Sequence, residues 1–265
     1  MNMKIALIII ITGTLVACSP YNEVLKGDDY SLKFSTANSL YQENTKRSYE
    51  KAIVLFEQVF QHAPKTKEGE SSYFLMAKSY FEKQDYYMAG YFFGSFIQRY
   101  PYSLRSEEAF FLTAMCSVNN SPKWSLDQTE TYEALNAVQQ FIDKYPTSPL
   151  IDSCNKIIDD LTYKLEFKDY NKVKLYDKTG NYKAAVSYVD LFMEKFPLSI
   201  HEEEVKYLAI KNGFFLSENS IESKKKERIE ETLQRYRNFV SDFPSSSYIS
   251  SLKVLLKPWE KDYEF

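Results

Sequence analysis

The sequence predicts an all-α solenoid of five consecutive helical hairpins closed by a C-terminal capping helix. The leading observation is a phrase that recurs along the chain: Phe, three residues, an aromatic, Pro, any residue, Ser. It reads Phe96…Tyr100-Pro101-Tyr102-Ser103, Phe141…Tyr145-Pro146-Thr147-Ser148, Phe192…Phe196-Pro197-Leu198-Ser199 and Phe239…Phe243-Pro244-Ser245-Ser246. A degraded copy, Val59…Ala63-Pro64-Lys65-Thr66, precedes them. Within each copy the two rings lie one turn apart on one helix face, the Pro cannot continue that helix, and the Ser or Thr can cap the next one. The second observation is the spacing of the prolines, 37, 45, 51 and 47 residues, which is self-similarity of the kind that marks stacked repeats. The third is composition: 22 Tyr and 19 Phe against 7 Gly fit helices whose interfaces are filled by large rings.

The second unit defines the repeat type. Counting back from Pro101, the residues Tyr73, Met76, Ala77, Tyr80, Ala89, Phe93 and Phe96 fall at the signature spacing of a tetratricopeptide repeat. Small Ala77 and Ala89 let two antiparallel helices approach, and the larger residues fill the space around them. The unit therefore resembles a helix–turn–helix of about 34 residues.

The other units carry insertions that the anchors locate. The first has three extra residues near Gln42–Ser48. In the third, Ala114 to Ala134 is 20 residues where Ala77 to Ala89 is 12, and the surplus falls in the polar, Pro122-containing loop Asn119–Gln128. In the fourth, Tyr176…Gly180…Ala185…Phe192 keeps normal spacing, so 14 extra residues precede it, nearly four helical turns. Pro149 to Lys178 has no internal Gly or Pro and reads as one long helix. The fifth unit's insertion is placed at Ser217–Lys226 and read as a charged loop. A last helix, Ser247–Leu256, stops at Lys257-Pro258 and caps the stack.

Ahead of the repeats stands an address label. Met1–Lys4 is basic, Ile5–Ile11 is apolar, and Leu15-Val16-Ala17-Cys18 closes the segment with small residues before a cysteine. This stretch is short of the roughly 20 residues of a membrane span. It resembles the lipobox of bacterial lipoproteins, whose cysteine is acylated and becomes the new N-terminus; a soluble secreted protein cut near Ala17 is the alternative. The resemblance implies lipidation at Cys18 and, with Ser19 following, an outer-membrane location on the periplasmic face. The expected organisation is a signal peptide over 1–17, a lipid-anchored linker over 18–28, three N-terminal repeat units over 29–148, and two C-terminal units with the long and capping helices over 149–265.

A net charge of −3 gives no dominant basic field and argues against nucleic-acid binding. Cys116 and Cys154 are read as small interface residues, with pairing in an oxidising compartment the alternative. His62 and His201 are read as solvated, without a partner at metal-ligand spacing. The sequence has no Gly-rich phosphate loop, Cys-x-x-Cys or nucleophile elbow, so neither a cofactor nor a metal is expected. Glu202-Glu203-Glu204 is read as a helix first turn that complements the dipole. Ser199 with Glu202 has capping-box spacing. Lys224–Lys226 is read as a solvated face, or as a docking patch for an acidic partner. The chain is read as a non-enzyme, a binding surface. On the first helix of each N-terminal hairpin, Phe81 and Phe111 are candidates for exposed ring contacts, and Tyr73 and Tyr80 join the groove while also filling packing positions. Exposed aromatics in a groove suit extended peptides.

The lipobox followed at once by irregular repeats, the long helix, and Leu175-Tyr176-Asp177-Lys178-Thr179-Gly180-Asn181-Tyr182-Lys183-Ala184-Ala185-Val186 resemble the BamD (ComL-like) family of outer-membrane assembly lipoproteins. That resemblance implies a subunit of the β-barrel assembly machinery. Its N-terminal groove would receive unfolded β-barrel outer-membrane proteins, and its C-terminal repeats would dock an Omp85-type, BamA-like central barrel subunit. It marks Tyr176 and Tyr188 as partner-contact candidates; Tyr176 also fills a repeat packing position, which makes a structural role its alternative, and relatives can carry Arg at the position of Tyr188. Trp259, in the aromatic tail that ends Tyr263-Glu264-Phe265, packs on the last helix or on a partner. The competing reading is another envelope repeat lipoprotein, a scaffold for peptidoglycan, secretion or glycan uptake.

Overall fold

The computed structural model describes residues 20–263; the signal peptide and Cys18 lie outside the described residues, as do Glu264 and Phe265. Among the described residues the chain is all-α, with twelve α-helices and a short 3-10 helix. It divides into two compact units at Asn120/Ser121. The sequence places the boundary at 148/149, so the third predicted hairpin is shared between the units.

The first unit holds α1 (Pro20–Lys26), α2 (Tyr30–Gln42), α3 (Lys46–His62), α4 (Lys67–Glu82), α5 (Tyr86–Arg99) and α6 (Ser106–Asn120). From α2 onward each helix packs on the next. Side-chain caps start four of them: Asp29, Thr45, Thr66 and Asp85 accept from the backbone N–H groups of Leu32, Ser48, Gly69 and Met88. Ala77 and Ala89, both fully buried, face Phe56, Phe74, Phe93 and Phe96 in one ring-filled core. The segment assigned as linker contains a helix: Tyr21, Val24 and Leu25 of α1 pack against that core.

The second unit holds α7 (Thr129–Lys144), α8 (Ile151–Lys178), α9 (Tyr182–Lys195), α10 (Glu202–Glu218), α11 (Glu222–Asp242), α12 (Tyr248–Leu256) and the 3-10 helix Lys257–Trp259. The long helix expected before Gly180 is α8. The inserted loop before α7 belongs to this unit because it is tied to α8: Lys164 Nζ donates to Ser121 Oγ at 2.8 Å, and Lys168 Nζ donates to the Leu126 carbonyl. Within the loop, Gln128 donates to three backbone carbonyls and closes it on itself.

The recurring phrase is one turn built four times. Tyr100, Tyr145, Phe196 and Phe243 each donate their N–H to the carbonyl of the Phe four residues back, and those Phe side chains are all buried. The Ser then donates its N–H to the aromatic's carbonyl. Its hydroxyl accepts from the N–H two residues on, at Arg105, Leu150, His201 and Tyr248. The Ser thus caps the turn and not the next helix, which corrects the capping-box expectation. α10 begins at Glu202 after His201, without a side-chain cap, and the Ser199 hydroxyl donates instead to Glu166 on α8.

The fifth unit also departs from expectation. α10 runs to Glu218 and α11 starts at Glu222, so the surplus residues lengthen both helices and only 219–221 turn. The charges that resembled a loop are helical pairs: Lys224 with Glu227 at 2.9 Å and Lys226 with Glu230 at 3.9 Å. Spacings of three and four place such groups side by side on a helix.

Candidate interaction surfaces

In the first unit the sequence-predicted groove residues split by burial. Tyr73 is 5% exposed, with its ring 4.4 Å from Phe60 and 5.7 Å from Phe92. Tyr80 is half-buried and stacks on the same Phe92 at 5.2 Å; burial raises its phenol pKa. The Arg99 guanidinium lies over Phe60 and Tyr73 and closes one side of this cluster. Phe81 is half-buried and meets Tyr86 edge-on at 5.3 Å, and Phe111 is half-buried on α6. Phe92 therefore joins Tyr73 to Tyr80, while Phe81 sits in a separate contact.

The most exposed aromatics of α5 lie elsewhere. Tyr87 and Tyr91, one turn apart, are 71% and 66% exposed. Attention to the first helix of each hairpin passes over them. Their signal is spacing: each falls two residues before a signature position, Ala89 or Phe93, so their face points away from the core.

In the second unit Tyr176 and Tyr188 meet edge-on at 5.6 Å. The Tyr188 hydroxyl donates to Asp169 Oδ1 at 2.8 Å, and Lys195 Nζ reaches the other Asp169 oxygen at 2.9 Å. Burial first, then the bond to Asp169, pushes the Tyr188 phenol well up. Lys172 Nζ lies 4.3 Å over the Tyr188 ring. Cationic groups thus reach this position from two other residues although it carries no Arg.

Of the two alternatives for Trp259 the structure shows the packed one, and the reading of His201 is corrected. Trp259 is 5% exposed, packs at 4.9 Å from Phe214 of α10, and donates its indole N–H to Glu218 Oε1 at 2.8 Å. It closes the core beneath α12 and offers no free ring to a partner. His201 is half-buried rather than fully solvated: it stacks on Tyr170 at 3.9 Å with its Nε2 buried and unpartnered. The Tyr170 hydroxyl in turn donates to Glu204, so one acid of the Glu triplet serves an interhelix bond. His62 is exposed and stacks on Tyr30 at 3.7 Å. Cys116 and Cys154 are buried free thiols, and burial pushes the Cys116 pKa up to about 12.

Two clefts open on the second unit. One of about 550 Å³ is lined by Trp124, Leu175, Lys168, Lys172, Lys174 and Lys178, a basic hollow with an apolar floor. The other, about 800 Å³, lies among α9, α10 and α11, and two ion pairs form within it, Lys224–Glu227 and the two-pronged Arg235–Asp190. Among the described residues no three His, Cys, Asp or Glu side chains gather as a metal site, and no helix is long and apolar enough to cross a membrane.

Ring-packed helical hairpins with grooves and charged clefts define a helical-repeat scaffold of the tetratricopeptide type. The chain belongs to the YfiO family of outer membrane lipoproteins, whose profile matches residues 34–212 and 169–258. A protein of Aquifex aeolicus (strain VF5), provisionally named outer membrane protein assembly factor BamD, is 26% identical over 257 residues, covering 92% of this chain and 81% of that protein. Among solved structures, a set of nearly identical TPR-like repeats of a kinesin light chain from Podosopora anserina overlaps 84% of this chain and 99% of its own, at 11% identity and a TM-score of 0.34.

Proposed function

We propose that this chain is the lipoprotein subunit of a β-barrel assembly machinery, anchored through acylated Cys18 on the periplasmic face of the outer membrane. The single observation that carries the reading is the family match across most of the chain, which joins the repeat architecture to an outer membrane lipoprotein description. The name of the Aquifex relative supports the assembly role. The chain acts by binding and not by catalysis.

In this reading the first unit receives the terminal strands of unfolded barrel proteins. Phe81 and Phe111 offer ring edges to the strand, and the Tyr73–Phe92–Tyr80 cluster holds α4, which carries Phe81, against α5. The second unit docks the Omp85-type barrel subunit. The Tyr176–Tyr188 pair, with Asp169, Lys172 and Lys195 around it, supplies a surface that is partly aromatic and partly charged. Surfaces of this composition give contact area at little entropic cost and set register by charge.

The test is affinity capture of the tagged, full-length lipoprotein from detergent-solubilised outer membranes. An Omp85-type barrel as the main co-purifying protein supports the reading. A peptidoglycan-binding, secretion or glycan-uptake protein in its place would move the chain to a different envelope scaffold.

A further inference from the structure

We propose that the first unit is seated on an anionic phospholipid surface through the face of α3 that carries Arg47, Lys51 and Val54. This rests on the reading of Cys18 as acylated and adds to it an orientation.

The reach of the anchor is the first element. Only Ser19 separates Cys18 from Pro20, the first residue of α1. Two residue steps span at most about 7 Å. α1 itself is fixed. Its Tyr21, Val24 and Leu25 pack on the core of the unit, and the Tyr21 hydroxyl donates to the Lys51 carbonyl at 3.3 Å. At its other end Lys33 Nζ bridges the Leu25 carbonyl, at 3.2 Å, and Gln58 Oε1, at 2.7 Å. The first turn of α1 is therefore tied to α3 at Lys51, and its last turn is tied through Lys33 of α2 to Gln58. A lipid on Cys18 is held close to the first turns of α3.

Charge and polarity at that place complete the case. Arg47, Lys51 and Val54 stand at i, i+4 and i+7, on one face of α3. Arg47 is exposed, Val54 is 39% exposed, and Lys51 Nζ lies 5.0 Å over the Tyr21 ring. Lys46 adds a third cation at the same end. The carboxylates of α1 and α3 are Glu23, Glu50 and Glu57. Glu50 is drawn to Lys83 at 4.0 Å, and Glu57 lies nearly two turns further along the helix, beside Gln61. From Lys46 to Lys51 the balance is three cations to one anion. Each Lys or Arg near an anionic leaflet strengthens partitioning about fivefold. A tyrosine and a branched aliphatic between the cations suit the headgroup level. The short tether brings this end of the unit to the bilayer, and the basic face holds the α3 side against it.

The experiment uses the full-length lipidated protein in vesicles of phosphatidylethanolamine and phosphatidylglycerol that contain a nitroxide-headgroup lipid. A fluorophore is placed at Val54→Cys or at Leu104→Cys; Cys116 and Cys154 are buried. Leu104 is fully exposed, and the Tyr100 hydroxyl bond to the Pro64 carbonyl puts its turn at the far end of α3. The expected result is severalfold stronger quenching at 54 than at 104. Arg47→Glu with Lys51→Glu should narrow that difference, the short tether still favouring 54, while the protein still floats with the vesicles; a difference left unchanged by the two substitutions overturns the part given to the basic face. Equal quenching without those substitutions, or stronger quenching at 104, overturns the seating and leaves the anchor standing. Protein that carries no acyl mass and does not float overturns the anchor and the seating together.

Discussion

Gly213 of α10 lies directly beneath Thr232 of α11: a Cβ at position 213 would stand 2.5 Å from Thr232 Oγ1 and 3.1 Å from its Cγ2. Elsewhere in a helix, Gly→Ala gains about 1 kcal/mol from propensity. Here the sign reverses, because both residues are buried and Thr232 is held by its hydroxyl bond to the Arg228 carbonyl. Gly213→Ala should destabilise by about 1–3 kcal/mol. Adding Thr232→Ala should restore most of the loss, which urea unfolding of the two variants and the double mutant would measure.

Gln84 and Gly180 close equivalent turns, α4–α5 and α8–α9, with φ of 67° and 68°. Only glycine takes that conformation without strain, and a side chain there costs on the order of 1 kcal/mol or more. Gln84→Gly should therefore stabilise by about 0.5–1 kcal/mol, while Gly180→Gln should destabilise by at least as much. Thermal melts of the pair give opposite shifts if the turns share a backbone.

Packing and recognition separate at the rings. Phe96→Ala and Phe192→Ala, at 0% and 1% exposure, should each cost about 3–5 kcal/mol. Tyr73→Ala should behave like them and lower stability. Phe81→Ala, half-buried, should leave the fold standing and weaken capture of C-terminal barrel peptides about tenfold, a loss of about 1.4 kcal/mol. Fluorescence anisotropy with a labelled peptide, alongside melts, reads both effects.

The indole bond from Trp259 holds the Glu218 carboxyl below its ordinary range, with Lys225 assisting. A carboxyl depressed in the folded state stabilises above its unfolded pKa, near pH 4.5, and loses that contribution as pH falls through the folded value. Stability measured from about pH 6 downward should fall more steeply in the parent chain than in Glu218→Gln. Equal slopes would mean the latch contributes nothing in acid.

The hairpin count, the long α8 and the loop before α7 were legible because Pro, Ala and aromatic anchors keep fixed distances while insertions must fall between them. Ser217–Lys226 misled because charge alone does not separate a loop from a solvated helix; the decisive signal, Lys224/Glu227 and Lys226/Glu230 at helical spacing, was present. The Trp259 bond to Glu218 and the burial of His201 were hidden for another reason. Their environments are built by α10 and α8, distant in sequence, and no local pattern announces an indole meeting Glu218 or an imidazole stacked on Tyr170. Tyr87 and Tyr91 show the converse, rings whose exposure follows from their place on the helix face opposite Ala89 and Phe93.

The most direct measurement is depletion of this lipoprotein from its native cell, followed by electrophoresis of outer-membrane barrels with and without heating. If the chain serves barrel assembly, the fast-migrating folded forms decline and unfolded barrels accumulate in the periplasm while the Omp85-type subunit is still present. Undiminished folded barrels after the protein is gone would contradict it.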